Sequence, residues 1–297
     1  MRIVRALLAT GAAFVALALA WLLFVWPPPS WYRTHWPSET AFMQMRQRQG
    51  RAAHDATARR YHPVSPDSMS PWLRKAATTA EDDAFWVHHG LDWRQLRQVL
   101  GYRRPGLDWS DPRDRAELRR ALDNAWGRRD QLRGASTITQ QLAKNLYLSP
   151  SRNPLRKIKE ACIAYRLEWA LSKERILALY LNVAEFGPDL WGVDAASRAY
   201  FGRSAAQLSM DQAALLVATL PHPLTSNPGY RPGRTRWRQQ FVLRRLRGER
   251  VAMPLEAVEE TPAAVAPPGA PADSAVRDSA TLRDTAAARV PADTTTP

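Results

Sequence analysis

Apolar and polar positions follow a helical period through most of this chain, and a few stretches break the pattern. The first is Ala6 to Trp26, 21 residues without a charge. That length matches the ~20 residues a helix needs to cross a bilayer. Arg2 and Arg5 precede it, which favours a cytoplasmic N-terminus. Trp21, Trp26 and Trp31 fall where an interfacial aromatic belt lies, and Pro27-Pro28-Pro29 stops the helix. A cleaved signal peptide is the alternative, but its apolar core usually spans only ~7–15 residues. At the other end, composition turns to Ala, Pro, Thr and Asp after Met253, a mixture unable to bury a core.

Between these ends the pattern predicts helices. Residues 32–69 carry few apolar positions and read as an irregular, partly helical lead-in. Ser70-Pro71 is a helix start, with Ser as N-cap and Pro in the first turn. Leu73, Ala76, Ala77, Ala80 and Ala84 follow at helical spacing, and Gly90 is the expected stop. Glu81 and Asp82 then sit late on that helix. Residues 94–132, rich in Arg and Asp around Pro105-Gly106, predict short helices about a mobile, exposed loop. Further helices begin at Asn153-Pro154, at Ser172 and at the capping box Ser209-Met210-Asp211-Gln212. No strand pattern of any length is present, so the fold class is mainly α. The expected organisation is a cytoplasmic 1–5, a transmembrane helix 6–26, a juxtamembrane lead-in 27–69, a domain over 70–250 and a disordered tail 251–297.

The formal net charge of +14 suits nucleic acid, an anionic membrane surface or a phosphorylated substrate. A domain outside the cytoplasm weighs strongly against nucleic acid. Cys162 is the lone cysteine, so no intrachain disulfide forms.

The candidate chemistry lies in two segments. Residues 133–160, RGASTITQQLAKNLYLSPSRNPLRKIKE, combine hydroxyls, paired amides and cations with one acid. Ser136, Thr137, Gln140 and Gln141 offer directional hydrogen bonds, and on a helix Thr137, Gln141 and Lys144 share a face. The alternative is a Ser/Thr cap followed by an exposed polar face. Lys144, Lys157, Lys159 and Lys173 cluster while only Lys75 lies elsewhere, in a chain that otherwise uses arginine. Ammonium groups match phosphate oxygens, though a solvated helix face explains the cluster as well. Downstream of Pro154, Leu155, Ile158, Cys162, Tyr165 and Trp169 form one apolar stripe, and Ile163 and Leu167 form a second that Arg156 and Glu160 extend. Arg156 and Glu160 also fit an ordinary i,i+4 ion pair. Upstream, Glu81 lies beside an apolar face and is placed to act as a general base, or is a solvated surface acid. The helix around Arg234 to Arg247 predicts amphipathic packing with a basic outer face, open to anionic headgroups.

These residues resemble the biosynthetic peptidoglycan glycosyltransferases. Glu81-Asp82-x-x-Phe85-x-x-His88-x-Gly90 is similar to the family's first motif, and Gly134-Ala135-Ser136-Thr137-Ile138-Thr139-Gln140-Gln141-Leu142-x-Lys144-Asn145 to its second. Arg156-Lys157-x-x-Glu160 resembles the third, Ile176-Leu177-x-x-Tyr180-Leu181-Asn182 with Gly187 the fourth, and Ala199-Tyr200-Phe201-Gly202 with the Ala213-to-Pro221 helix the fifth. The match spans roughly 70–248, with 94–132 as the family's variable lobe.

The resemblance implies a lysozyme-like, two-lobed glycosyltransferase domain that polymerises lipid II. Without Ser-x-x-Lys it implies no transpeptidase. Glu81 would take the proton of the acceptor 4-hydroxyl. Lys144, Arg152 and Lys157 would steady the diphosphate. Glu160 would orient a basic group or a divalent cation, Mg or Mn, with no metal otherwise required. Asp82, Phe85, His88, Ser136, Thr137, Gln140, Gln141, Asn145, Arg156 and Asn182 are expected to line the substrate site. The expected partners are lipid II, the growing lipid-linked glycan, the membrane and other cell-wall synthesis or division proteins. The location implied is the bacterial inner membrane, with the catalytic domain periplasmic. A hydrolase on the same scaffold and a non-catalytic scaffold protein are the alternatives: incubation with lipid II against finished sacculi separates the first, and lipid II binding without turnover marks the second.

Overall fold

The computed structural model describes residues 2–52, 58–104, 106, 108–127, 136–148 and 154–253. The order is α1 (Arg2–Leu23), α2 (Ala41–Ala52), β1 (Arg60–Tyr61), α3 (Pro71–Glu81), α4 (Trp93–Leu100) and α5 (Pro112–Gly127). Then come α6 (Ile138–Tyr147), α7 (Pro154–Ala170), α8 (Lys173–Val183), β2 (Glu185–Gly187), β3 (Leu190–Trp191), α9 (Val193–Phe201), α10 (Met210–Thr219) and α11 (Gly233–Leu246). The fold is mainly helical.

The expected caps are present. Ser70 accepts from the Trp72 N–H with Pro71 in the first turn, Ser172 caps α8, and Ser209 with Gln212 closes a capping box on α10. The helix at α3 ends nine residues before Gly90, however, because Asp82 leaves the helical path at φ −165, ψ 83.

α8 is apolar nearly all round and is buried from Ile176 to Val183, so it forms the axis of the core. α6 and α7 pack on one another and on α8, while α3, α10 and α11 form a second mutually packed group. A small sheet, absent from the sequence reading, has the order β1-β3-β2. β3 pairs parallel to β1 and antiparallel to β2. Its strands are too short to show an alternating pattern. At its end Gly192 takes φ +81, and a Cβ there would lie 2.5 Å from the Asn182 carbonyl oxygen, so only glycine fits.

The lead-in is more ordered than its composition predicts. Tyr32, Phe42, Met43 and Met69 join the main core. Arg46 on α2 pairs with Glu185 on β2 at 2.9 Å, both side chains buried. Asn182 grips the same segment: its amide accepts from the Val64 N–H at 2.9 Å and donates to the Val64 carbonyl at 2.9 Å. Asn182 is fully buried and fastens the lead-in to α8.

The two stripes of α7 have different fates. Ile163 and Leu167 are buried, whereas Leu155, Ile158, Tyr165 and Trp169 are exposed, Trp169 at 88%. α1 covers Arg2–Leu23, offset from the expected 6–26. Among the described residues no helix is long and apolar enough to cross a membrane. α5 carries an exposed surface, and Arg104, in the segment after α4, pairs with Asp111 just before α5 and with Asp114 in its first turn. The tail beyond Met253 lies outside the described residues.

Replacing Asn182 with Ala removes two hydrogen bonds and leaves the half-buried Val64 N–H and carbonyl without them. The expected loss is about 2–4 kcal/mol, read as a lower midpoint in urea unfolding. An unchanged midpoint contradicts the fastening role.

Candidate active site

The site starts where α3 stops. Freed from the helix, the Asp82 carboxylate accepts from the Ile138 N–H at 2.9 Å and from His88 Nε2 at 3.0 and 2.9 Å. The Gly90 N–H donates to His88 Nδ1 at 3.1 Å, so the ring proton sits on Nε2 and faces Asp82. Thr137, the N-cap of α6, donates its hydroxyl to the Gly90 carbonyl at 2.6 Å and accepts from the Gln140 N–H at 3.1 Å. Gln140 Oε1 accepts from the Thr137 N–H at 3.1 Å, which completes a capping box. Gly90 holds φ +90 against the Ala164 backbone.

Asp82, His88, Thr137 and Gln140 are all buried. Their polar atoms join α3 to α6. Thr137 in particular caps α6 and does not share a ligand face with Lys144. Phe85 is also fully buried, with the Lys173 ammonium 4.6 Å from its ring centroid. Asn145 is buried on α6.

Glu81, the last residue of α3, is 11% exposed at its side chain. Its Oε1 accepts from Arg238 Nη2 at 3.2 Å and its Oε2 from Gln141 Nε2 at 3.1 Å. The Tyr180 hydroxyl donates to Gln141 Oε1 at 3.0 Å. Burial, and then the Glu81 charge, raise the Tyr180 pKa well above the usual phenol value. That hydroxyl therefore stays a donor and turns the Gln141 amide N–H toward Glu81. Sequence reading assigned Arg238 to a basic outer face. It is instead buried on α11 beside Thr235, Val242 and Leu246. Its spacing of three from Thr235 and four from Val242 was the available signal.

Glu160 on α7 is 2% exposed. Arg156 Nη1 donates to its Oε2 at 3.0 Å, and the Lys157 ammonium donates to its Oε1. Lys157 also donates to Ser136 Oγ at 2.8 Å. The Ser136 carbonyl meets Gln141 Nε2 at 3.5 Å, a long contact. One chain of contacts thus runs from Glu81 through Gln141, Ser136 and Lys157 to Glu160.

Both Glu160 oxygens face cations, and among the described residues no three His, Cys, Asp or Glu side chains gather as a metal site. The Glu160 carboxylate thus holds the two basic groups Arg156 and Lys157. The lysine cluster also divides. Lys157 joins Glu160, Lys159 lies 4.4 Å from the Trp21 ring centroid, Lys173 pairs with Glu168, and Lys144 lies 5.9 Å from the Phe42 ring centroid. Arg152 and residues 133–135 lie outside the described residues. The open grooves of about 530 and 560 Å³ are lined around Arg198 and around Arg97, without Glu81 or Glu160.

A half-buried carboxylate linked by contacts to a cationic cluster on a helical scaffold is an arrangement suited to group transfer. The transglycosylase family model matches residues 102–247. A biosynthetic peptidoglycan transglycosylase of Bordetella pertussis is 37% identical over 235 residues, covering 78% of this chain and 90% of that protein. Those of Azoarcus sp. (38% over 219 residues; 74% and 84%) and Citrobacter koseri (41% over 181 residues; 61% and 66%) are similar too. The chain belongs to the biosynthetic peptidoglycan transglycosylase family.

His222, fully buried after α10, has its pKa pushed down to about 4 by burial first, then by Arg234 and Arg238. Its unfolded value is about 6.5. The neutral ring thus contributes stability that is complete above about 6.5 and is lost as pH falls toward about 4. Urea midpoints of the wild type should drop across that window, and His222→Gln should flatten the drop. Equal slopes in both proteins contradict this.

Proposed function

We propose that this transglycosylase polymerises lipid II into β-1,4 glycan strands, releasing undecaprenyl diphosphate. The carrying observation is the contact chain from Glu81 to the Arg156–Lys157–Glu160 cluster. It joins a proton acceptor to cations suited to a diphosphate. The two packed helical groups, α3–α10–α11 and α6–α7–α8, read as the walls of a lysozyme-like, two-lobed cleft.

In this reading Glu81 accepts the proton of the acceptor's 4-hydroxyl. The oxygen attacks the anomeric carbon of the growing strand's reducing-end sugar. The bond to the diphosphate breaks, its electron pair leaves with the diphosphate, and the α-linkage becomes β. Lys157 and Arg156 stabilise the charge on the leaving group, and Glu160 holds both cations in place. Lys144 adds positive charge one turn beyond Gln141. The reaction is neutral in protons once the diphosphate, or solvent, takes the proton from Glu81.

The same reading puts the enzyme at the inner membrane, with α1 in the bilayer, the N-terminus cytoplasmic and the catalytic domain periplasmic. The charge-free Ala6–Trp26 run supports it, as do the exposed Phe14, Leu17, Phe24 and Trp26. α1 packs against α7, whose outer stripe is apolar and exposed. Other proteins of cell-wall synthesis or division fit as partners along this surface.

Glu81→Gln keeps the hydrogen bond from Arg238 but cannot accept a proton. Polymer formation from lipid II should fall by roughly 10²–10⁴-fold with substrate affinity largely retained. Wild-type rates in that variant would remove Glu81 from the base role. The lone cysteine gives a second test: a nitroxide on Cys162, in the α7 stripe, should be relaxed more by oxygen than by a water-soluble nickel chelate in liposomes. Relaxation dominated by nickel contradicts the membrane-facing stripe.

A further inference from the structure

We propose that Arg238 is a positioning residue for Glu81, holding its carboxylate fixed in rotation for the arriving acceptor hydroxyl. This rests on the reading of Glu81 as the base.

Arg238 comes from α11, 157 residues along the chain from Glu81, and meets it at 3.2 Å. Its side chain is 6% exposed. It occupies a stripe whose other members, Thr235, Val242, Leu243 and Leu246, are buried against the domain. An apolar side chain at that place on α11 would avoid the desolvation that a buried guanidinium suffers. The charge is retained where it reaches a carboxylate, and that carboxylate is the candidate base.

The groups around Glu81 give Arg238 its effect. From α6, Gln141 donates to the other carboxylate oxygen, and from α8, Tyr180 fixes the direction of that amide. On α3's own end, the Asp82 charge is taken up by His88 and the α6 N-terminus, and Asp83 pairs with Arg245. From the end of α10, His222 is kept neutral by burial and by Arg234 and Arg238 itself. Among the described residues Arg238 is therefore the cation that hydrogen-bonds Glu81. With one donor on each oxygen, the carboxylate cannot turn, yet each oxygen keeps a lone pair for a substrate hydroxyl.

The test compares full-length Arg238→Met and Arg238→Lys with the wild type in liposomes, measuring kcat and KM for polymerisation. In Arg238→Met, kcat should fall about 10–100-fold with KM within about twofold. Arg238→Lys, which keeps a cation at that place, should restore part of kcat. In a Glu81→Gln background, Arg238→Met should cause no further loss, since the two act as a unit.

A KM raised well beyond about twofold would mean that Arg238 contacts substrate directly and would overturn the proposal. So would an unchanged kcat, or a loss that adds in full to that of Glu81→Gln. If Arg238→Met fails to fold, Arg238→Gln decides by the same readout: a lowered kcat with KM within about twofold is expected, and wild-type kcat there refutes positioning. Failure of the base reading is distinct, because it appears as activity in Glu81→Gln itself.

Discussion

One carboxylate, that of Asp82, accepts both the His88 ring N–H and the first N–H of α6. A charged acceptor at a helix N-terminus meets unpaired N–H groups and the positive end of the dipole. To reach them Asp82 must leave α3, and that departure makes Glu81 the helix's final residue. The Glu81 side chain then meets Gln141 on α6 instead of running along an uninterrupted helix. Thr137 and Gly90 hold the same junction from the other side. The position of the candidate base is thus a consequence of where one helix is made to end.

Much of the fold was legible because it is decided locally. Ser70, Ser172 and Ser209 announce helix starts through hydrogen bonds within three residues. The end of α3 was not legible, because its cause lies 56 positions away at Ile138. The stripes of α7 show a related limit. Periodicity finds both apolar faces, but only packing against α6 and α8 decides that Ile163 and Leu167 turn inward while Trp169 faces out. Arg238 escaped notice because arginine at a stripe position reads as surface until its partner is known. The lead-in escaped because a few well-placed residues, Phe42, Met43 and Arg46, are enough to anchor it.

The candidate site was legible as a set of residue types, and the geometry divides that set by task. Asp82, His88, Thr137, Gln140 and Asn182 fasten elements together with buried polar bonds. Glu81, Gln141, Ser136, Lys157, Arg156 and Glu160 form one connected chain. Removal of a fastener leaves a buried donor or acceptor unsatisfied, so its loss and that of a reacting group look alike in a bare activity measurement. Affinity, pH profile and unfolding midpoint separate them. The lysines divide in the same way: clustering along the sequence reflects several separate contacts, of which Lys157 belongs to the acid–cation chain.

The most direct test of this arrangement is a crystal structure of the full chain with a non-reactive lipid-linked disaccharide diphosphate and an acceptor. The account predicts the diphosphate oxygens within hydrogen-bond reach of Lys157 or Arg156, and the acceptor 4-hydroxyl on the carboxylate of Glu81. A diphosphate bound well away from both cations, with Glu81 still closed on Arg238 and Gln141 and touching no sugar, would contradict it.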